Sequence, residues 1–277
     1  MIKAVITAAG KGTRLLPMTK EMPKEMMPIY SKINSKRVIL PLLQLIFEQL
    51  YTCKIRDYCF VVGREKRAIE DHFTPDHTYL REISSDNKTI LSTFYKKLEN
   101  SHLLWVNQNS PKGFGDAVKQ TERYIGKNNF VVHAGDVSIL GKLQHPIMRM
   151  KEIGKEPSVS AVLLFRKVND PTRHGVPTLE KISNTEFLVK KVIEKPKKPK
   201  SNFGLMPLYY FTPKIFEKLK QIKPGINGEY QLTDAIQALI QDGEKVLAIP
   251  LNKTDKVLDV GTVDSYIQAQ KSSYSYV

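Results

Sequence analysis

Two features of the chain bring together residue types that handle phosphate. The first is the segment Ala8–Pro28, AAGKGTRLLPMTKEMPKEMMP. Gly10 and Gly12 let backbone approach a ligand closely, and exposed N–H groups attract anions. Arg14, Lys20 and Lys24 add positive charge beside them. The second feature is a pair of aspartates in apolar settings. Asp136 follows the run Asn129-Phe-Val-Val-His-Ala-Gly135, and Asp259 sits inside Val257-Leu-Asp-Val-Gly261. A carboxylate at the carboxyl end of a buried strand suits a hard cation such as Mg²⁺, which takes carboxylate and phosphate oxygens. A lone aspartate is more often a turn or capping residue. Two in such settings, beside a basic glycine loop, point to a metal–phosphate site.

Better-known phosphate and nucleophile motifs do not fit. A dinucleotide fingerprint needs G-x-G-x-x-G. Gly10 and Gly12 match it, but the third position is Leu15. A P-loop needs Gly-Lys followed by Ser or Thr, and here Gly10-Lys11 is followed by Gly12. No Gly-x-Ser-x-Gly elbow is present. His72, His77, His102, His133, His145 and His174 show no zinc spacing. His133, inside an apolar run, reads as a packed core histidine. Cys53 and Cys59 match no metal or redox spacing and read as reduced core residues of a cytoplasmic protein.

The elements that must position these groups follow from hydrophobic patterning. Met1–Thr7, rich in β-branched residues, reads as a buried first strand. Further strands are expected over Tyr58–Val62, Leu103–Asn107 and Asn129–Gly135, then over Val159–Phe165, Glu186–Ile193, Leu205–Phe211 and Lys245–Pro250. Helices are expected over Ser35–Leu50, Glu65–Phe73, Gly115–Ile125, Tyr230–Ile240 and Val263–Gln270. Residues 74–101 are polar and weakly periodic and read as an insertion carrying one helix. Strand and helix alternate at βαβ intervals. This predicts an α/β fold with a mostly parallel sheet flanked by helices, in a single domain over residues 1–277.

With 277 residues, 41% of them hydrophobic and 26% charged, the chain can bury a full core. No apolar run reaches the ~18 residues of a membrane span, and no secretory leader pattern opens the chain. The net charge of +15 suits nucleic acid, an anionic membrane or anionic small substrates. No aromatic–basic interleaving or reading-helix motif supports nucleic acid. Neither nucleic acid nor membrane is expected as a partner. In the run Lys195-Pro-Lys-Lys-Pro-Lys200, the last three lysines read as a solvated loop.

Five stretches carry a family resemblance, in order along almost the whole chain. They are ITAAGKGTRLLPMTKEMPKEMMPIYSK at 6–32, PKGFGDAV at 111–118, VIEKPK at 192–197, GEYQLTDAI at 228–236 and LDVGTVDSYIQA at 258–269. The chain resembles the sugar-1-phosphate nucleotidylyltransferases, and most specifically the bacterial-type UTP–glucose-1-phosphate uridylyltransferases. The resemblance implies a Rossmann-like nucleotidyltransferase fold with a mixed central sheet and transfer from UTP, or alternatively dTTP, to glucose 1-phosphate. The products would be UDP-glucose and pyrophosphate, and Mg²⁺ the cofactor. By the same resemblance, the loop of Ala8, Ala9, Gly10, Gly12 and Thr13 wraps the nucleotide, and Arg14 and Lys24 hold its phosphates. Glu25 and Gln108 read the uracil edge, with Gly113 closing on it. Gly175 and Glu194 bind sugar hydroxyls, Lys195 the sugar phosphate, and Asp136 and Asp259 the metal. A homo-oligomer, dimer or tetramer, and no β-helix acyltransferase domain are expected. Thr7, Gly135, His174 and Leu258 depart from the residues usual in these enzymes.

Overall fold

The structure is a computed structural model that describes residues 2–141 and 145–277. Its strands, in chain order, are β1 (Lys3–Ala8), β2 (Pro28–Ile33), β3 (Lys36–Pro41), β4 (Asp57–Val62), β5 (His102–Asn107), β6 (Phe130–Ala134) and β7 (Val137–Leu140). They continue with β8 (Val159–Lys167), β9 (Gly175–Lys181), β10 (Phe187–Glu194), β11 (Phe203–Phe211), β12 (Lys245–Pro250) and β13 (Lys256–Asp259). Nine of them form one sheet in the order β5-β4-β1-β6-β11-β8-β12-β10-β9. Only β11 and β10 run against the rest. The sheet is therefore mixed and mostly parallel, as expected. Two small antiparallel pairs, β2 with β3 and β7 with β13, lie outside it.

The central strands are apolar on both faces because both faces are covered. In β1, Ala4, Ile6 and Ala8 face one core cluster, and Val5 faces the other. β6 divides in the same way, with Val131 on one side and Phe130 and Val132 on the other. His133 is 2% exposed, as a packed histidine should be. Cys53 and Cys59 are free and buried.

Several expected elements are revised. Residues 36–41 are strand β3, not the first turns of a helix, and the helix begins only at Leu42. β3 pairs with β2 along its length, from Ile33 opposite Lys36 to Pro28 opposite Pro41. The two residues between them, Asn34 and Ser35, have φ of 48° and 64°. That is the two-residue hairpin geometry usually written Asn-Gly or Asp-Gly. With Ser in the second place, the hairpin is hidden in sequence. Residues 74–101 carry two helices, Tyr79–Glu82 and Ser85–Glu99, and the second buries Phe94 and Leu98. The helix expected at Gly115–Ile125 is two short ones, Phe114–Lys119 and Glu122–Ile125. Strands β7 and β9 and the helices Pro146–Ile153 and Lys214–Gln221 had no expected counterpart.

One buried ion pair fastens the glycine-loop segment to the body. Glu25 is 1% exposed and accepts from Lys66 Nζ at 2.9 Å, and the Lys66 side chain is 8% exposed. Burial raises the Glu25 carboxyl above its ordinary range, against the lowering pull of Lys66 and Lys24. Removing one partner of such a pair leaves a buried charge uncompensated. Lys66→Met should therefore lower the unfolding free energy by about 3–5 kcal/mol at neutral pH. Without Lys66 the Glu25 pKa rises further, so the folded state holds the proton more tightly than the unfolded chain does. The deficit should then narrow as pH falls through the carboxylate range. Urea unfolding at neutral and mildly acidic pH measures both effects. A deficit that stays constant between the two conditions would count against this account.

Candidate active site

A cleft of about 1330 Å³ opens where β1 and β6 end. β1 delivers the glycine loop. Ala8 is its last residue and is 1% exposed, so its side chain belongs to the core, and Ala8 does not line the cleft. Ala9, Gly10, Gly12, Thr13 and Arg14 do line it. Gly12 has φ of 67° and opens a short 3₁₀ turn over Thr13–Leu15. A left-handed residue at that point strains any side chain but glycine. Thr19 Oγ1 donates to the Gly12 carbonyl at 2.7 Å and closes the loop on itself. Lys24 lies across Gly10, where an added Cβ would come within 3.3 Å of Nζ. Lys20 is exposed and lies outside the cleft lining.

β6 delivers Asp136 two residues beyond its end. The Gly135 N–H donates to the Thr7 carbonyl at 2.8 Å, tying that strand end to the start of the loop. Lys24 Nζ donates to Asp136 Oδ2. Burial opposes ionisation of the Asp136 carboxyl, but the charge and hydrogen bond of Lys24, aided by Arg14, hold it below its ordinary value. Lys24 shows the reciprocal effect. Burial opposes its charge, and Asp136 and Glu25 outweigh that and raise its pKa.

Asp259 reaches the same place by the small β7–β13 pair, in which it stands opposite Val137. The Val260 N–H donates to the Asp136 carbonyl at 3.0 Å. Asp259 Oδ1 accepts from the Gly261 N–H at 2.6 Å and from Ser265 Oγ at 3.3 Å. Arg14 lies beside this turn, since a Cβ added at Gly261 would stand 3.3 Å from its Nη2. Among the described residues, no group of three or more His, Cys, Asp or Glu forms a closed cage. Two carboxylates with the remaining positions open suit Mg²⁺, which usually keeps waters and takes one or two carboxylates plus substrate phosphates.

A second wall comes from the segments at 111–118 and 228–236. Gly113 has φ of 106°, and a Cβ there would stand 2.8 Å from the Tyr230 carbonyl. The Gly115 N–H donates to that same carbonyl at 2.8 Å. Gln108 Nε2 donates to Asp116 Oδ2 at 2.7 Å and to the Gly113 carbonyl at 3.2 Å. This fixes the amide and leaves Oε1 as a free acceptor among the described residues. Glu25, expected beside Gln108 as a base reader, also lines the cleft. Its Oε2 is taken by Lys66, however.

The third wall is the β9–β10 corner. Glu194 stands opposite Gly175 in register, and Thr233 Oγ1 donates to Glu194 Oε2. The Lys195 N–H donates to the His174 carbonyl at 3.0 Å, and Lys195 Nζ lies 3.5 Å from Glu194 Oε1. Lys195 has φ of 40°, a conformation that costs a non-glycine residue energy and concentrates at functional sites. Lys197, Lys198 and Lys200 are exposed and outside the cleft lining. The cleft also gathers residues that no sequence signal marked, among them Arg166, Arg173 and Tyr209. Arg166 and Tyr209 sit in the apolar strands β8 and β11, and Arg173 ends a short 3₁₀ turn over Pro171–Arg173, with no motif around any of them.

The model of the family described as nucleotidyl transferase matches residues 3–275. The chain is 37% identical over 242 residues to a UTP–glucose-1-phosphate uridylyltransferase of Bacillus subtilis, covering 86% of this chain and 80% of that one. It is 33% identical over 274 residues to the enzyme of the same name from Mycoplasma pneumoniae, covering 96% and 90%. Its fold superimposes on a UDP-glucose pyrophosphorylase solved with UDP-glucose, with a TM-score of 0.88, 29% identity and full coverage of both chains. A UTP-bound enzyme from Acinetobacter baumannii gives a TM-score of 0.83 at 26% identity, covering 98% and 93%. On the extent of these matches, the chain belongs to the nucleotidyl transferase family.

Proposed function

We propose that the chain transfers the uridylyl group of UTP to α-D-glucose 1-phosphate, forming UDP-glucose and releasing pyrophosphate. The observation that carries this reading is one continuous cleft that holds the glycine loop, both aspartates and the Gly175–Lys195 corner. Its match to relatives named for that reaction supplies the substrate pair. Dimeric or tetrameric assembly remains part of the proposal.

A phosphate oxygen of the sugar attacks the α-phosphorus in line, and pyrophosphate leaves. Such transfers need little covalent help, so catalysis is mainly positioning and charge neutralisation. Asp136 and Asp259 would hold Mg²⁺, which neutralises phosphate charge when bound. Arg14, beside Gly261, carries the leaving pyrophosphate. Lys24, close to both Asp136 and Gly10, reaches the nucleotide phosphates from the loop side. Lys195 orients the sugar phosphate, and Glu194 and the Gly175 backbone hold sugar hydroxyls. Gln108 Oε1 can accept the N3–H of uracil. Adenine presents an acceptor at the corresponding ring nitrogen and would be rejected.

A pyrophosphate-release panel of five nucleotides against several sugar 1-phosphates tests the reaction. UTP with glucose 1-phosphate should be the best pair. dTTP should follow closely, because Gln108 is assigned to the N3–H that uracil and thymine share. ATP or GTP turning over at the UTP rate would overturn the reading.

Asp136→Asn should keep the fold but melt lower, because Lys24 loses its paired carboxylate, and should lose roughly 100-fold or more in kcat, since metal neutralisation contributes several kcal/mol. Near-normal turnover of this variant in Mg²⁺ would remove Asp136 from the site.

Lys195→Ala should raise the KM for glucose 1-phosphate and lower kcat, with much less effect on the KM for UTP. Arg14→Ala should show the reverse, with UTP and pyrophosphate most affected. Lys197→Ala removes a similar charge from the same loop but outside the cleft, and should resemble wild type. A steady-state matrix in both substrates decides. Equal behaviour of the Lys195 and Lys197 variants would mean bulk electrostatic steering rather than a placed contact.

A further inference from the structure

Arg166 stands in the cleft without a task in the chemistry above. It is the penultimate residue of β8, where the sheet stops being apolar. Cross-strand register sets it opposite Gly204 of β11. A Cβ at Gly204 would come within 3.0 Å of His174 Cγ, so the imidazole lies over that glycine, next to Arg166. His174 leads directly into Gly175, and its carbonyl accepts from the Lys195 N–H. Arg166 thus borders the sugar corner. The carboxylate that acts on it is Asp259.

Nothing among the described residues bonds the Nε of this guanidinium, which is sealed from solvent. No side-chain hydrogen bond or ion pair holds the group among the described residues. His174 offers no negative charge. Burial, Arg166 and Arg173 together lower its pKa, so the ring is neutral under ordinary conditions. A buried donor without an acceptor costs stability. Only Nε is sealed, which leaves the two Nη groups to meet an anion entering the cleft, and a guanidinium fork matches phosphate bidentately.

We propose that Arg166 is a specificity residue that grips the phosphate of the sugar 1-phosphate, together with Lys195. The inference rests on the transfer reading above. The phosphate is preferred to a carboxylate on the sugar ring because Arg166 shares the cleft with Asp259, at the phosphate end, and feels its charge.

The test is calorimetric titration of glucose 1-phosphate, glucuronic acid 1-phosphate and UTP into wild type, Arg166→Gln and Arg166→Lys, with steady-state kinetics alongside. Arg166→Gln should weaken both sugar phosphates by about tenfold or more, in equal ratio, as expected for loss of a charged hydrogen-bond donor. UTP affinity should stay within about twofold, because its phosphates have Arg14 and Lys24. Arg166→Lys, which keeps the charge and loses the fork, should fall between. The melting temperature should not drop in either variant, since no intramolecular bond is removed. Unchanged binding of glucose 1-phosphate by Arg166→Gln, in a wild type that turns over, overturns this inference alone. A loss confined to glucuronic acid 1-phosphate also overturns it, and places Arg166 on the ring instead. Equal loss of UTP and sugar phosphate overturns it in favour of general electrostatics. A wild type that binds no sugar 1-phosphate overturns both this inference and the transfer reading.

Discussion

The carboxylate of Asp136 is held largely out of water at the end of a parallel strand, and the surrounding site answers that cost. An ion in such a place must be paired or must lose its charge. Lys24 supplies the pairing. To reach Asp136 it must cross the loop, and Gly10 has no side chain to block it. Placing Lys24 there turns the next residue, Glu25, inward, where it is almost wholly buried. Glu25 in turn takes Lys66. The result is an alternating row of charges, Asp136, Lys24, Glu25 and Lys66, in which each member makes the next tolerable. The site proposed for a cation and polyanions is thereby held together by internal cations and anions of its own.

The sheet topology explains how residues far apart in sequence join that row. β1 and β6 lie side by side and parallel, with Thr7 opposite Ala134, so the loop after one strand and the aspartate after the other emerge together. Ligands of open α/β sheets collect outside the carboxyl ends of the strands for this reason. β13 belongs to none of the nine main strands. It pairs only with β7, the strand that follows Asp136, and this brings Asp259 back to the site from near the C-terminal helix. The capping box of Thr262 and Ser265 then starts that helix, and Ser265 also contacts Asp259. One short strand pair and one helix cap therefore position the second carboxylate.

What could be read from sequence was what is local. The apolar runs Tyr58–Val62 and Lys245–Pro250 became β4 and β12 nearly residue for residue, because a strand covered on both faces must be apolar throughout. The glycine loop and Asp136 declared themselves by composition and by their place after such runs. What could not be read was what pairing decides. Residues 36–41 carry a helix-like pattern, but β2 claims them, through a turn whose Asn-Ser sequence gives little warning. Ala8 sits at the edge of the loop by sequence and in the core by register with Val62. Lys66 lies in an unremarkable polar stretch, yet it decides whether Glu25 is free to meet a ligand. Arg166 is one charged residue at the end of β8, and only its position across from Gly204 gives it a context.

The net charge shows the same limit. A balance of +15 reads as an appetite for anions. Yet as many carboxylates as lysines and arginines line the cleft, so the excess positive charge lies elsewhere on the molecule. Exposed charge of that kind is screened within about 10 Å at ordinary ionic strength and acts on encounter more than on hold. Grip must come from cations at fixed points. Of those in the cleft, Lys24 is already engaged by Asp136 and Lys195 lies near Glu194, so an entering phosphate competes with a carboxylate for each. Arg166 has no such competitor within bonding reach among the described residues, and an anion proposed to bind there would gain the interaction without first breaking one. A cleft neutral in sum can therefore still select phosphate, through the few donors whose internal partners are weak or missing.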